Sequence, residues 1–290
     1  KCMKSEIQTI KSIAGIIIIT SSIPPKSSSE IIKLIEILNN TLVITIKTNF
    51  KFLEKNQSMR QHKKALKKIN FSIDAGKSLG VIGSTGSGKT SLINVMLRIL
   101  DFDNGKILID DISIKKFDIQ KLREQIGVVN QDSFLFSDSI SNNISFGSKK
   151  ADIKSIIKVS KICSIHNEII NFNNQYNTIL GERGVNLSGG QKQRLCIARA
   201  LVKNPKILIL DDCLSALDNK TENEILNKIK KTFKNTTKII VSHRVSSIQD
   251  CDNIIVIEKG EIIQIGKHNE LINNNGYYKN IFHDQSNNKD

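Results

Sequence analysis

The sequence predicts an α/β fold, a sheet carrying helices on both faces. Three observations point to it. From residue 69 onward, short β-branched or apolar runs alternate with helical runs, the pattern of strand–helix units. A G-x-x-x-x-G-K-T string, from Gly83 to Thr90, lies between an apolar run and a helical run. A further run, Ile207-Leu208-Ile209-Leu210, ends in Asp211-Asp212. That places carboxylates at the C-terminal edge of the strands, where such sheets hold ligands.

The chain has 290 residues, room for one large or two modest domains with a sizeable core. Apolar residues make up 39% and charged residues 24%, which excludes collagen-like, mucin-like and wholly disordered chains. Lys and Arg number 43 against 28 acidic residues, a net charge of +15. We read this as a solvated lysine-rich surface in a chain that over-uses Lys, Ile and Asn, and expect no specific nucleic-acid partner. Cys2, Cys163, Cys196, Cys213 and Cys251 are far apart, which argues for a reducing compartment and against disulfides or zinc.

Residues 1–41 form an N-terminal segment and 42–290 the main domain. The apolar run at 13–19 is too short to span a membrane. It reads as a strand or a buried helix, with a signal peptide or the stub of a membrane helix as alternatives. Residues 28–38 show a Ser cap and an apolar stripe, Ile31, Leu34, Ile35 and Leu38, the marks of an amphipathic helix. Residues 41–52 read as extended and 56–68 as a basic loop. Strands are expected at 69–73, 78–82, 106–109, 126–129, 207–210, 238–241, 253–257 and 261–265. Helices are expected at 89–100, 153–162, 190–202, 220–233 and 268–273. Between about 133 and 189 helices dominate, which reads as a helical insertion.

Gly83-Ser84-Thr85-Gly86-Ser87-Gly88-Lys89-Thr90-Ser91 follows a strand and opens a helix, the context of a phosphate cradle. Glycines let backbone N–H groups curl around an anion, and the helix N-terminus adds its dipole. Lys89 should reach the β- and γ-phosphates, and Thr90 should offer its hydroxyl to Mg²⁺. Asp211 should hold Mg²⁺, directly or through water, and Asp212 could polarise an attacking water. A strand-ending Asp that merely caps the next turn is the simpler alternative. A second anion-binding device follows elsewhere: Ser188 caps a helix whose first residues are Gly189-Gly190.

Leu187-Ser188-Gly189-Gly190-Gln191-Lys192-Gln193-Arg194 resembles the signature motif of the ATP-binding cassette (ABC) ATPases, and the resemblance covers residues 50–282. It implies a P-loop core of mixed sheet, an antiparallel β subdomain and an inserted helical subdomain. In that family two cassettes sandwich two ATP molecules. The resemblance therefore implies that Ser188, Gly189, Gly190 and Gln191 serve the partner's ATP in trans. It further implies a Q-loop at Gln131, which senses Mg²⁺ and the attacking water, and a switch histidine at His243. Asp218 would lie in the D-loop, facing the partner, and Phe52 would stack on adenine.

Residues 134–147 and Gly181-Glu182-Arg183-Gly184 resemble exporter-type cassettes, and residues 31–38 resemble the helix that joins their membrane domain to the cassette. That implies ATP-driven export at the cytoplasmic face of a membrane, with transmembrane domains as partners. One departure matters: the family places Glu where this chain has Asp212. Asp is shorter by one methylene, so its carboxylate falls about 1 Å short of a water that a base must approach to about 2.6–3.2 Å. We expect this site to bind ATP and hydrolyse it slowly, as in one half of a heterodimeric exporter. A homodimer in which Asp212 works, a purely regulatory ATP-binding subunit, and a soluble cassette acting on nucleic acid are the alternatives.

Overall fold

The computed structural model describes residues 66–102, 104–148 and 151–287, together with the backbone of residues 12–13, 16–17 and 44–49. The chain divides into two compact units, residues 1–40 and 41–290. In the first, β1 (Ser12–Ile13) and β2 (Ile16–Ile17) pair antiparallel, Ile13 opposite Ile16. Ile13, Ile16 and Ile17 of the isoleucine-rich run are therefore extended, as β-branched side chains favour. The expected helix at 28–38 and most of the basic loop lie outside the described residues.

The second unit contains two sheets. β5 (Ser78–Ile82), β8 (Ile126–Val129), β9 (Ile207–Asp211), β10 (Thr237–Val241), β11 (Asn253–Glu258) and β12 (Glu261–Gly266) form a six-stranded sheet in the order β12-β11-β5-β10-β9-β8. All neighbours are parallel except β11 and β12. The other sheet is antiparallel, in the order β4-β3-β6-β7, from β3 (Ile44–Asn49), β4 (Ile69–Ile73), β6 (Asn104–Ile109) and β7 (Ile112–Ser113).

The burial patterns follow from the layers. Every residue of β5, β9 and β10 is buried, so these strands show no apolar–polar alternation and are mainly apolar, with Ser78, Asp211, Thr237 and Lys238 at their ends. β4 alternates, with Ile69, Phe71 and Ile73 inward, so one face of its sheet packs. Successive residues of the parallel strands serve two different cores. Leu208, Leu210 and Ile240 join one cluster with the long helices. Ile207, Ile209, Ile239 and Val241 join another beneath the antiparallel sheet.

The helices are α1 (Lys89–Met96), α2 (Ile119–Gln125), α3 (Ile140–Ser145), α4 (Ile153–Ile162), α5 (His166–Ile170), α6 (Gly189–Leu201), α7 (Asn219–Thr232), α8 (Val245–Ile248), α9 (His268–Asn273) and α10 (Tyr277–Asn287). α1 stops at Met96, four residues before its expected end, because Arg98 turns left-handed at φ 50° and the N–H groups of Ile99 and Leu100 both turn back to Asn94 O. Helices α2, α3, α5, α8 and α10 are additional to those the sequence pattern predicts. All but α10 span two turns or fewer, too short for a 3.6-residue period to register. Among the described residues, no helix is long and apolar enough to cross a membrane, and Cys163, Cys196, Cys213 and Cys251 are buried free thiols.

Candidate functional site

The loop after β5 is shaped by its glycines. A Cβ on Gly83 would lie 2.1 Å from Ile257 O, so no side chain fits there. Gly86 and Gly88 take φ of 76° and 110°, conformations open to glycine. Ser84 O accepts from Ser87 N at 3.1 Å, and Ser87 O accepts from Gly260 N at 2.9 Å. Thr85 sits at the exposed tip, while Thr90 and Ser91 lie in the first turn of α1, Thr90 exposed.

Lys89 is only 7% exposed, and its ammonium folds back over the loop, donating to Gly83 O at 2.8 Å and Ser84 O at 2.9 Å. Burial lowers its pKa, while Asp211 and Asp212 oppose the shift. Asp211 is likewise 7% exposed. Burial first, and then the Asp212 charge, raise its pKa against the pull of Lys89. One ammonium and two carboxylates thus share a single space. Two neighbouring carboxylates facing one cation leave room for positive charge, and Ser87 Oγ is buried with no hydrogen-bond partner among the described residues. This chemistry fits a divalent cation held beside an anion.

Strand order brings the remaining residues to the same edge. Val241 pairs with Val81 on one side and Asp211 on the other, and Val129 pairs with Leu210. The phosphate loop, His243, Asp211-Asp212 and Gln131 therefore leave adjacent strands at their C-terminal ends. His243 and Gln131 are exposed. Phe52 lies outside the described residues.

Ser188, Gly189, Gly190, Gln191 and Asp218 gather elsewhere. Ser188 Oγ accepts from Gln191 N, and Gln191 Oε1 accepts from Ser188 N, a reciprocal cap at the start of α6. Asp218 caps α7 by accepting from Thr221 N, which holds its carboxyl below the usual range. Ser188, Gly189, Gly190 and Asp218 line an open cleft of about 500 Å³ together with Glu168, Arg194, Ala216, Leu217 and Thr221. No residue of the phosphate loop lines it.

Sequence reading missed the residues that brace these parts. Glu168 takes both guanidinium ends of Arg194, at 2.5 and 3.0 Å, and accepts from Gln191 Nε2 at 2.8 Å. The segment from Ser215 to Asp218 is clamped from both sides. Gln193 of α6 donates to Ser215 Oγ and accepts from Ala216 N. Arg244 donates to Ser215 O, Leu217 O and the carboxylate of Glu222, which is 1% exposed. A glutamate inside an amphipathic helix carries no local sign of burial, so nothing in the sequence flags Glu222.

Residues 66–215 match the family described as ABC transporter. The chain belongs to the ABC transporter family. The cassette binds ATP and, like its family, hydrolyses it. It is similar to the multidrug resistance-like ATP-binding protein MdlA of Buchnera aphidicola, with 48% identity over 86% of this chain and 42% of that one. A putative multidrug export ATP-binding/permease protein of Staphylococcus aureus is 46% identical over 75% of this chain and 38% of its own length. The structure of a bacterial Atm1-family ABC exporter with ATP bound matches with a TM-score of 0.79 and 35% identity, over 85% of this chain and 42% of that chain. The chain thus spans about two fifths of the length of the proteins it resembles.

Proposed function

We propose that this cassette drives export across a membrane by closing on a second cassette around ATP. One observation carries the reading: the phosphate loop with its aspartates and the capped start of α6 form two separate half-sites on one chain, and the cleft at the second contains no phosphate-loop residue. Each half-site needs a facing partner to be complete. The chain's similarity to exporters supports transmembrane domains as further partners and a place at the cytoplasmic face.

Gly83 to Gly88 cradle the phosphates with backbone N–H groups, and Lys89 leaves its loop carbonyls for phosphate oxygens. Thr90, Asp211 and Gln131 would hold Mg²⁺, which when bound neutralises charge on the β- and γ-phosphates. Asp212 accepts a hydrogen bond from the attacking water, and His243 donates to the γ-phosphate. Ser188, Gly189, Gly190 and Gln191, with Asp218 beside them, complete the facing cassette's site. Little covalent chemistry is required; fixed charges and N–H groups stabilise the transferring phosphoryl. Scattering in saturating Mg-ATP should show dimers that separate on hydrolysis. Solitary molecules with persistent turnover would overturn the proposal.

Asp212 favours a finer reading, in which the site on this chain's phosphate loop is the slow one of a heterodimer. Asp is one methylene shorter than Glu, which leaves its carboxylate short of the water that a base must approach. Assay of the cassette with each candidate partner decides between heterodimer and homodimer: brisk turnover by this chain alone removes the heterodimer.

A further inference from the structure

The site described above leaves the last helix, α10, without a task. Its inner stripe runs Tyr278, Phe282, Gln285, positions i, i+4 and i+7 on one helical face. Tyr278 is wholly buried, with its hydroxyl 2.8 Å from His268 Nδ1, and Phe282 packs on the main core. Gln285 continues that stripe with an amide. Its Nε2 donates to His243 O at 2.6 Å, and its Oε1 accepts from Val245 N at 2.8 Å. One planar side chain therefore fixes the backbone on both sides of Arg244.

Helix α8 needs that grip. Arg244 stands at its N-cap but supplies no side-chain cap, so the first helical N–H would be an orphan without Gln285. The Arg244 guanidinium is engaged instead with Ser215 O, Leu217 O and Glu222. Ser242 N donates to Val81 O, and Ser242 Oγ accepts from Arg244 N. The segment around His243 is thus pinned through its backbone, while His243 itself stays exposed. At its other end α10 sets Tyr277 beside Ser84 of the phosphate loop.

We propose that Gln285 is a positioning residue for His243: the C-terminal helix holds the switch histidine at the reaction edge through its carbonyl, without touching nucleotide. This rests on the reading of His243 as a γ-phosphate ligand. A displacement of about 1 Å at a reacting group costs up to 10²-fold in rate, so losing the bond should lower kcat and leave KM for ATP nearly unchanged.

The test compares Gln285→Ala, Gln285→Glu and His243→Ala in the assembled transporter, by steady-state ATPase and thermal melting. Glu can still accept from Val245 N but cannot donate to His243 O. We expect Ala and Glu alike to lower kcat roughly 10- to 100-fold, with KM within about twofold and Glu melting close to wild type. Full kcat in the Glu variant would show that Gln285 only caps α8 and would overturn the inference, as would full kcat in the Ala variant. If His243→Ala itself keeps full kcat, the reading of His243 fails and takes the inference with it. A loss in His243→Ala without loss at Gln285 overturns the inference alone.

Discussion

Lys89 faces two carboxylates, Asp211 and Asp212, that repel one another in a space that also has to accept a triphosphate. Lys89→Ala removes the ammonium that should stabilise the transferring phosphoryl, and we expect ATPase activity to fall on the order of 10²-fold or more; unchanged turnover would refute the mechanism. Asp212→Glu should raise kcat roughly 10- to 100-fold by bringing the carboxylate to its water, read from phosphate release at saturating ATP. Equal, brisk rates in both forms would refute that assignment. Asp211 carries a raised pKa through burial and its Asp212 neighbour. A carboxyl whose folded pKa exceeds its unfolded one contributes stability that is present in acid and lost as pH rises through the folded value. Asp211→Asn should therefore melt higher than wild type at neutral pH without nucleotide or metal. The difference should vanish below the ordinary carboxylate range, while hydrolysis is lost at every pH.

At the scale of elements, the ends of helices and strands carry the chemistry. α6 starts at a reciprocal Ser188–Gln191 cap and is braced by Glu168 from α5. Ser188→Ala should cost about 1 kcal/mol of stability, seen in denaturant melts, and should also impair the facing cassette's site. The segment after β9 hangs between Gln193 and Arg244, and Glu222 lies buried behind Arg244. Arg244→Ala strands that carboxylate without its partner and should destabilise the cassette by about 3 kcal/mol. The double variant Arg244→Ala with Glu222→Gln should recover part of the loss, because the buried charge is gone; no recovery would mean that the clamp's bonds to Ser215 O and Leu217 O matter more.

Across the whole molecule, the parallel sheet collects one half-site along a single edge, and α6 with the start of α7 offers the other. With a chain that presents both halves apart, nucleotide acts as the adhesive between two cassettes. The net charge of +15 opposes approach of two like copies. Dimers formed in Mg-ATP should therefore strengthen as salt is raised modestly, since like-charge repulsion is screened over about 8–10 Å. Sedimentation across a salt series checks this; dimers that weaken steadily from low salt would point to attractive charge pairs at the interface instead.

Much was legible from local pattern. The strands buried on both faces announce themselves as apolar runs, and the phosphate loop and the Ser188 motif need particular residue types at fixed spacing, so chain order alone identifies them. The parallel strands were located to within two residues at each end for the same reason. The grouping of these parts into separate half-sites was not legible in this way, because it depends on strand order, with β10 inserted between β5 and β9. Nor were the braces. Glu222, Glu168 and Gln285 are ordinary polar helix residues by sequence, and only contacts with chain 22 to 42 residues away turn them into supports of the site. Spacing encodes what lies within one loop or one helix face; which distant backbone a side chain meets is decided when the layers pack.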